Sequence, residues 1–236
     1  MGETVRPRLT MVCVTNRPHF ADVVAAQFDA QTWPNKELVI IDSSEDGGIL
    51  KDTASTYVRA EPGSPVGAVR NIGLEHAGNG WLMWFDDDDW RHPELAERLL
   101  AYAESCDAPM AGLRSFFWIT LDGRMQRMSC PRWPVFAAAV YQCNGGFPPF
   151  RTKPPFKTDS YWLLRVREMY GGSFGVLLNE PAMFVWVNHG SNVFNRDKRS
   201  ASRKPDEFDK RFLPDDDRGL VRHMQRIRVG VHDLAD

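Results

Sequence analysis

The chain has 236 residues, 43% of them hydrophobic and 25% charged, which is enough to bury a sizeable core and excludes a disordered or fibrous protein. Its 29 basic and 31 acidic residues leave a formal net charge of -2, which excludes a global positive field for nucleic acid or an anionic membrane. No apolar run is long enough to cross a bilayer, the opening MGETVRPRLT lacks a signal-peptide core, and Arg6 stands where myristoylation needs Ser or Thr, so a soluble, cytoplasmic protein is expected. Cys13, Cys106, Cys130 and Cys143 are widely spaced without a CxxC pair, so reduced thiols are expected rather than a zinc site or a disulfide framework.

Short apolar runs alternate with amphipathic segments through the first third, the signature of strands and helices around a mostly parallel sheet. Leu9 to Val14 reads as a buried strand, and Phe20 to Gln31 as a helix with Phe20, Val23, Val24 and Phe28 at helical spacing. Glu37 to Ile41 is a second strand ending at Asp42 in a polar loop, and Thr56 to Ala60 a third. Pro65 to Ala77 reads as a helix, Trp81 to Phe85 as an apolar strand, and Pro93 opens a helix through Glu104.

After Cys106 the pattern changes. Ser115 to Thr120 and Arg124 to Ser129 flank Leu121, Asp122 and Gly123 as a β-hairpin. Residues 144–158 hold two Gly and four Pro and read as a shaped loop over a site, followed by a helix from Asp159 to Tyr170. The expected organisation is a nucleotide-binding half at 1–106, an acceptor-binding and catalytic half of the same domain at 107–195, and a charged tail at 196–236 that is a peripheral helix or partly disordered.

The most informative segment is the run Asp86, Asp87, Asp88 and Asp89, directly after WLMWF and before a turn. Ligands in an open α/β sheet bind outside the carboxyl ends of strands, and adjacent carboxylates there repel one another unless a cation or protonation relieves them. Mg²⁺ or Mn²⁺, which bridge carboxylates to substrate phosphates, is the simplest relief; a solvated acidic turn is the alternative.

Four segments in order, MVCVTNRP, QTWPNKELVIIDSSED, GAVRNIGLEHAGNGWLMWFDDDDW and VNHGSN, resemble those of a family-2 glycosyltransferase of the GT-A type, well over residues 8–105 and more loosely over 144–193. The resemblance implies a GT-A, Rossmann-like nucleotide-diphospho-sugar transferase fold, with a mostly parallel central sheet, helices on both faces and a smaller acceptor-side region. It also implies a metal-dependent, inverting transfer from a nucleoside-diphosphate sugar, UDP-linked, to an acceptor hydroxyl. Asp86 and Asp88 match the ends of the DxD signature, and His189 matches a histidine that completes the metal shell in some members, so these three are the expected ligands of Mn²⁺ or Mg²⁺. Thr15, Asn16 and Arg17 match the turn at the nucleotide pocket, and Asp86, which in the family meets the nucleotide ribose or the metal, and Asp87 belong to the same donor site. Arg70 matches a basic residue near the nucleotide, and Asp42 an acid that accepts the uracil ring NH; Ser43 stands where many members carry a second acid.

Inverting transfer needs a base at the acceptor hydroxyl. The resemblance points to Asp159 in PPFKTDSYW, with Thr158 where Glu commonly precedes it; a helix-start acid is the other reading of Asp159. Asp87 and Glu180 are weaker candidates for that base. Trp90 and Trp162 are candidate acceptor platforms, since aromatic faces suit sugar rings. The acceptor is open among glycan, lipid-linked carrier, protein side chain and modified nucleic-acid base. Two other functions compete: a noncatalytic nucleotide-sugar or glycan binding module, and an aspartyl phosphotransferase, against which Trp90 argues by standing two positions after Asp88.

Overall fold

The strand LTMVCVT carries no helix-favouring period and few polar atoms, so it is stable only where both faces are covered. It forms β1 (Leu9–Thr15), nearly all buried at the centre of a seven-stranded sheet. The computed structural model describes residues 6–48, 51–52, 54–121, 124–130, 133–143, 145–153, 158–189, 220 and 222–226. On one side of β1 lie β2 (Lys36–Asp42) and β3 (Thr56–Arg59), and on the other β4 (Gly80–Trp84), all parallel. A short strand, β5 (Trp90–Arg91), follows the acidic run, and β6 (Met110–Leu113) lies farther out in the large sheet. The order is completed by β9 (Ala139–Cys143), antiparallel between β4 and β6, and by β10 (Val176–Leu178), parallel to β6. Strands from both sides of residue 106 therefore share one sheet.

Helices α1 (Ala21–Ala30), α2 (Val66–His76), α3 (Leu95–Ser105) and α4 (Thr158–Met169) connect these strands. Of these, α2 packs on β1 and β2, and α3 on β6 and β9. The helix expected from Phe20 begins one turn earlier as a 3₁₀ turn at Pro18–Phe20, because Pro18 pre-sets φ for an entry turn. No helix among the described residues is long and apolar enough to cross a membrane.

The expected hairpin is present as β7 (Ser115–Thr120) and β8 (Met125–Ser129), antiparallel. It belongs to a second sheet of order β5-β11-β7-β8, in which β11 (Phe184–Asn188) runs parallel to β7 and antiparallel to β5. A separate core of Phe20, Val23, Trp90, Phe117, Ile119, Val185 and Val187 lies here, closed by Leu220 and Met224. Residues 222–226 of the tail are helical, and this piece is not peripheral: its apolar face is core. The remainder of the tail, 196–219, 221 and 227–236, lies outside the described residues, as do 144 and 154–157 of the expected loop.

The chain leaves β1 outward to β2 and β3 and then returns to β4 on the opposite side, so a crevice opens between the carboxyl ends of β1 and β4. Residues 15–17 stand at one lip and 86–89 at the other. A third wall comes from α2, α4 and the segment 145–153, locked by aromatic packing. Trp162 stacks on Phe150 with ring centroids 5.0 Å apart, meets Trp84 edge-on at 5.9 Å, and donates its indole N–H to the Pro148 carbonyl at 2.8 Å. Asn71 on α2 binds Phe150 in both directions, its Nδ2 donating to the carbonyl at 3.2 Å and its Oδ1 accepting the N–H at 2.6 Å.

The same loop runs so close to α2 that a Cβ at Gly67 would overlap the Arg151 carbonyl oxygen. Alanine is the better helix former by up to about 1 kcal/mol. Gly67→Ala is nevertheless expected to destabilise the fold by about 1–3 kcal/mol, because backbone must move to relieve the overlap. Urea unfolding should show a lower midpoint at unchanged slope; an unchanged or raised midpoint would mean that the loop does not seat on α2 this closely.

Candidate active site

The acidic run turns directly after β4, and three of its four carboxylates are buried. Such a run persists only if each charge is met by a donor. Asp87 accepts the Thr15 hydroxyl at 2.5 Å and Arg17 Nε at 3.1 Å on Oδ2, and Arg17 Nη2 on Oδ1. Asp88 Oδ2 lies 2.9 Å from Arg17 Nη2 and 2.8 Å from His189 Nε2. His189 follows β11, and its Nε2 is also 3.0 Å from Arg17 Nη1. Asp89 Oδ1 accepts the Val187 N–H at 3.2 Å, which ties the run to the second sheet.

The backbone of the turn is held separately. Arg91, fully buried on β5, donates Nη1 to the carbonyls of Asp86 at 3.1 Å and Asp89 at 3.3 Å, with its guanidinium 4.3 Å from the Phe85 ring centre. His223, in the C-terminal helical segment, donates Nε2 to the Asp88 carbonyl at 3.0 Å. Sequence reasoning missed both residues. Arg91 carries a weak signal, a basic residue two positions after four consecutive acids; His223 lies 135 residues from its partner and carries none.

Across the crevice, Arg70 on α2 joins the two chemical groups. Its guanidinium is boxed by Phe136, Phe150 and Trp84 at 4.5, 5.5 and 5.7 Å, contacts Asp159 Oδ1 through Nη1, and lies 3.8 Å from Asp86 Oδ1 through Nη2. Asp159 stands in the first turn of α4, where the Thr158 hydroxyl also donates to Oδ1 at 3.1 Å. Asn16 is exposed at the mouth beside Arg17. Glu180, the weaker base candidate, pairs instead with Arg98 at 3.3 Å on the surface.

Other expected site residues are placed differently. Asp42 is fully buried: Oδ1 accepts the Ser44 N–H at 2.8 Å, and Oδ2 accepts the Tyr57 hydroxyl at 2.6 Å and faces Arg59 at 3.2 Å. As placed, it orders the 43–48 loop, and both its oxygens are occupied before any base arrives. Trp90 and Trp162 are 1% and 0% exposed and belong to the two cores, so neither presents a ring face to an acceptor. Strand alternation turns Trp90 inward, and the Phe150 stack claims Trp162.

Charge and burial set the protonation states. Burial alone would raise Asp88, but the Arg17 guanidinium and the His189 bond hold it down at about 2. Desolvation in the crevice pushes Asp86 up to about 6 against the pull of Arg70 and Arg91. Asp89 is driven well above the usual carboxylate range by burial and by its charged neighbours Asp88 and Asp86. Burial lowers His223 to about 4, so its ring is neutral at physiological pH. Of the three expected metal ligands, Asp88 and His189 touch, while Asp86 turns to Arg70. The described residues hold no group of three or more His, Cys, Asp or Glu placed around an ion. The Asp88 oxygen suits Mn²⁺ or Mg²⁺ completed by phosphates, and the His189 nitrogen favours Mn²⁺ over Mg²⁺, which takes oxygen ligands. Arg17 supplies the cation there in the structure described.

Residues 10–175, more than half the chain, match the model of Glycosyl transferase family 2. The chain belongs to glycosyltransferase family 2. A Haemophilus influenzae protein named as a glycosyltransferase is 29% identical over 93 residues, covering 38% of this chain and 32% of its own length. Bacillus subtilis EpsH, also named as a glycosyltransferase, is 29% identical over 102 residues, 39% of this chain and 29% of its own. The matched segment thus spans about a third of each relative. Crystal structures of S. aureus TarS share the fold: one superposes with a TM-score of 0.60 at 13% identity, covering 77% of this family-2 chain and 37% of TarS. Another, of TarS 1-349 in complex with UDP-GlcNAc, gives 0.59 at 13% identity over 78% of this chain and 60% of that one. The expected GT-A architecture is therefore the observed one.

The Asp88 carboxyl is held at about 2 in the folded chain, against about 3.9 for a free aspartate. A depressed folded pKa contributes stability that is present above the free value and is lost as pH falls through the folded one. Between about pH 4 and pH 2, the Tm of the wild type is therefore expected to fall more steeply than that of Asp88→Asn. Calorimetric scans across that window check it, and parallel slopes would mean that Asp88 is not held by Arg17 and His189.

Proposed function

We propose that this chain transfers a sugar, with inversion, from a nucleoside-diphosphate sugar, UDP-linked, to an acceptor hydroxyl in the crevice between β1 and β4. The observation that carries this reading is the Arg70 bridge. One guanidinium holds Asp159 by one nitrogen and faces Asp86 by the other, so the base candidate and the acidic donor turn line one crevice. The TarS structures with UDP and with UDP-GlcNAc support the nucleotide class through the shared fold. The four free cysteines fit the cytoplasmic setting where such donors are made.

The donor diphosphate enters beside Thr15, Asn16 and Arg17 and meets the turn at residues 86–88. Arg17 and Arg70 are the cations available to it, and charge-assisted contacts from arginine forks suit phosphate oxygens. Asp88 and His189 would hold Mn²⁺ or Mg²⁺, which when bound supplies positive charge to the leaving diphosphate. Asp159 has Oδ1 taken by Arg70 and Thr158, which leaves Oδ2 to accept the acceptor's hydroxyl proton among the described residues. The freed oxygen forms the bond to the anomeric carbon from the face opposite the diphosphate, and the C–O bond to phosphate breaks with its electron pair on the nucleotide.

Two measurements test this. Calorimetry with UDP is expected to show binding that is tighter in Mn²⁺ than in EDTA, with the difference abolished in Asp88→Asn; equal affinity in all four cases removes the metal. Asp159→Asn is expected to lower kcat by about 10² to 10⁴ while leaving donor affinity nearly unchanged. Single-turnover transfer near the wild-type rate would remove Asp159 from the mechanism. Nucleotide-sugar binding without transfer to any acceptor class would mark a binding module.

A further inference from the structure

Leu220, His223 and Met224 fall at helical spacing on one face, and all three are buried, at 4%, 2% and 8% exposure. Leu220 and Met224 complete the second core. His223, between them, does something that core packing does not require. A carbonyl oxygen only accepts, so the 3.0 Å contact with the Asp88 carbonyl fixes the proton on Nε2 and leaves Nδ1 as the bare nitrogen. Nδ1 is buried with no hydrogen-bond partner among the described residues. An orphaned polar nitrogen costs stability that an aliphatic residue of the same size would not incur.

The contact falls on a peptide group that needs it. Arg91 ties the carbonyls of Asp86 and Asp89, and the Asp88 carbonyl between them is taken by His223. The Asp88 side chain, on the other face of the same residue, is set between Arg17 and His189. If the Asp88 peptide rotates, that carboxylate leaves both partners. We propose that His223 is a positioning residue for Asp88, which makes the C-terminal helical segment a working part of the donor site. This rests on the reading of the 86–89 turn as the donor site.

The test uses the whole chain with three substitutions. His223→Leu keeps volume and removes the donor; His223→Gln places an amide N–H near the position of Nε2; His223→Asn is polar but too short to reach the Asp88 carbonyl. UDP affinity is read by calorimetry with Mn²⁺ and in EDTA, and backbone order by amide hydrogen exchange of the peptide spanning residues 86–91. Leu and Asn are expected to weaken UDP binding by about 10- to 100-fold, the range seen when a group that holds a ligating residue is removed, and to speed exchange across 86–91. Gln is expected to restore both to within about 3-fold of wild type, and Leu to keep or raise Tm. Wild-type affinity and exchange in Leu, or losses in all three variants that simply follow Tm, would overturn the proposal. Should the wild type bind no nucleoside diphosphate, the donor-site reading falls, while the exchange pattern still decides whether His223 pins the turn.

Discussion

Four consecutive carboxylates at the end of a buried strand are the constraint around which this molecule is arranged. Removing a charge from water without a partner costs several kcal/mol, so three arginines converge on the run from separate elements, and burial shifts Asp86 and Asp89 toward their neutral forms. Arg17 arrives from the turn after β1 and engages the side chains of Asp87 and Asp88. Arg70 arrives from α2 beside Asp86, and Arg91 from β5 to hold the backbone. Each of these positions is fixed by the central sheet or by packing against it, so charge compensation and fold are one problem with one solution.

The second sheet follows from that requirement. Its strand β5 carries Arg91, its strand β11 supplies the Val187 N–H for Asp89 and leads into His189, and the register that pairs Phe184 with Arg91 fixes the two against each other. A hairpin alone could not bury β11 and β5 on both faces. The C-terminal helical segment completes that core, and in doing so brings an imidazole to the backbone of the acidic turn.

Much of this was legible in the chain. Strands β1, β2 and β4 read correctly because their apolar runs are continuous and end in polar segments, and the β7–β8 hairpin because two strand-like runs flank Leu121, Asp122 and Gly123 in the sequence. The acidic run and Asp159 could be found from local pattern and family resemblance. Strand β9 escaped because AVYQC is five residues long and is inserted antiparallel between strands remote in sequence. Trp90 and Trp162 were misjudged as ring platforms, and the engagement of Asp42 was not foreseen, for a common reason: residue type shows what a side chain offers, while its neighbours in space decide whether it is already used. Tyr57 and Arg59 reach Asp42 from the adjacent strand β3, and nothing near Asp42 in sequence announces them.

The aromatic wall beneath Arg70 has a consequence for how such enzymes diversify. Asp159 rides on a helix fastened by Trp162, and the neighbouring loop is fastened from Phe147 to Arg151 by ring contacts of Phe147 and Phe150 with Trp162, by the Pro148 carbonyl, by both hydrogen bonds of Phe150 to Asn71 and by Arg151 over the Tyr161 ring. The residues on either side of that anchor, Gly145, Gly146, Thr152 and Lys153, make none of these contacts. Sequence drift at these positions can therefore reshape that rim of the crevice while Asp159 and the acidic turn keep their separation. Variation on one rim of the crevice is thereby uncoupled from the geometry of the other.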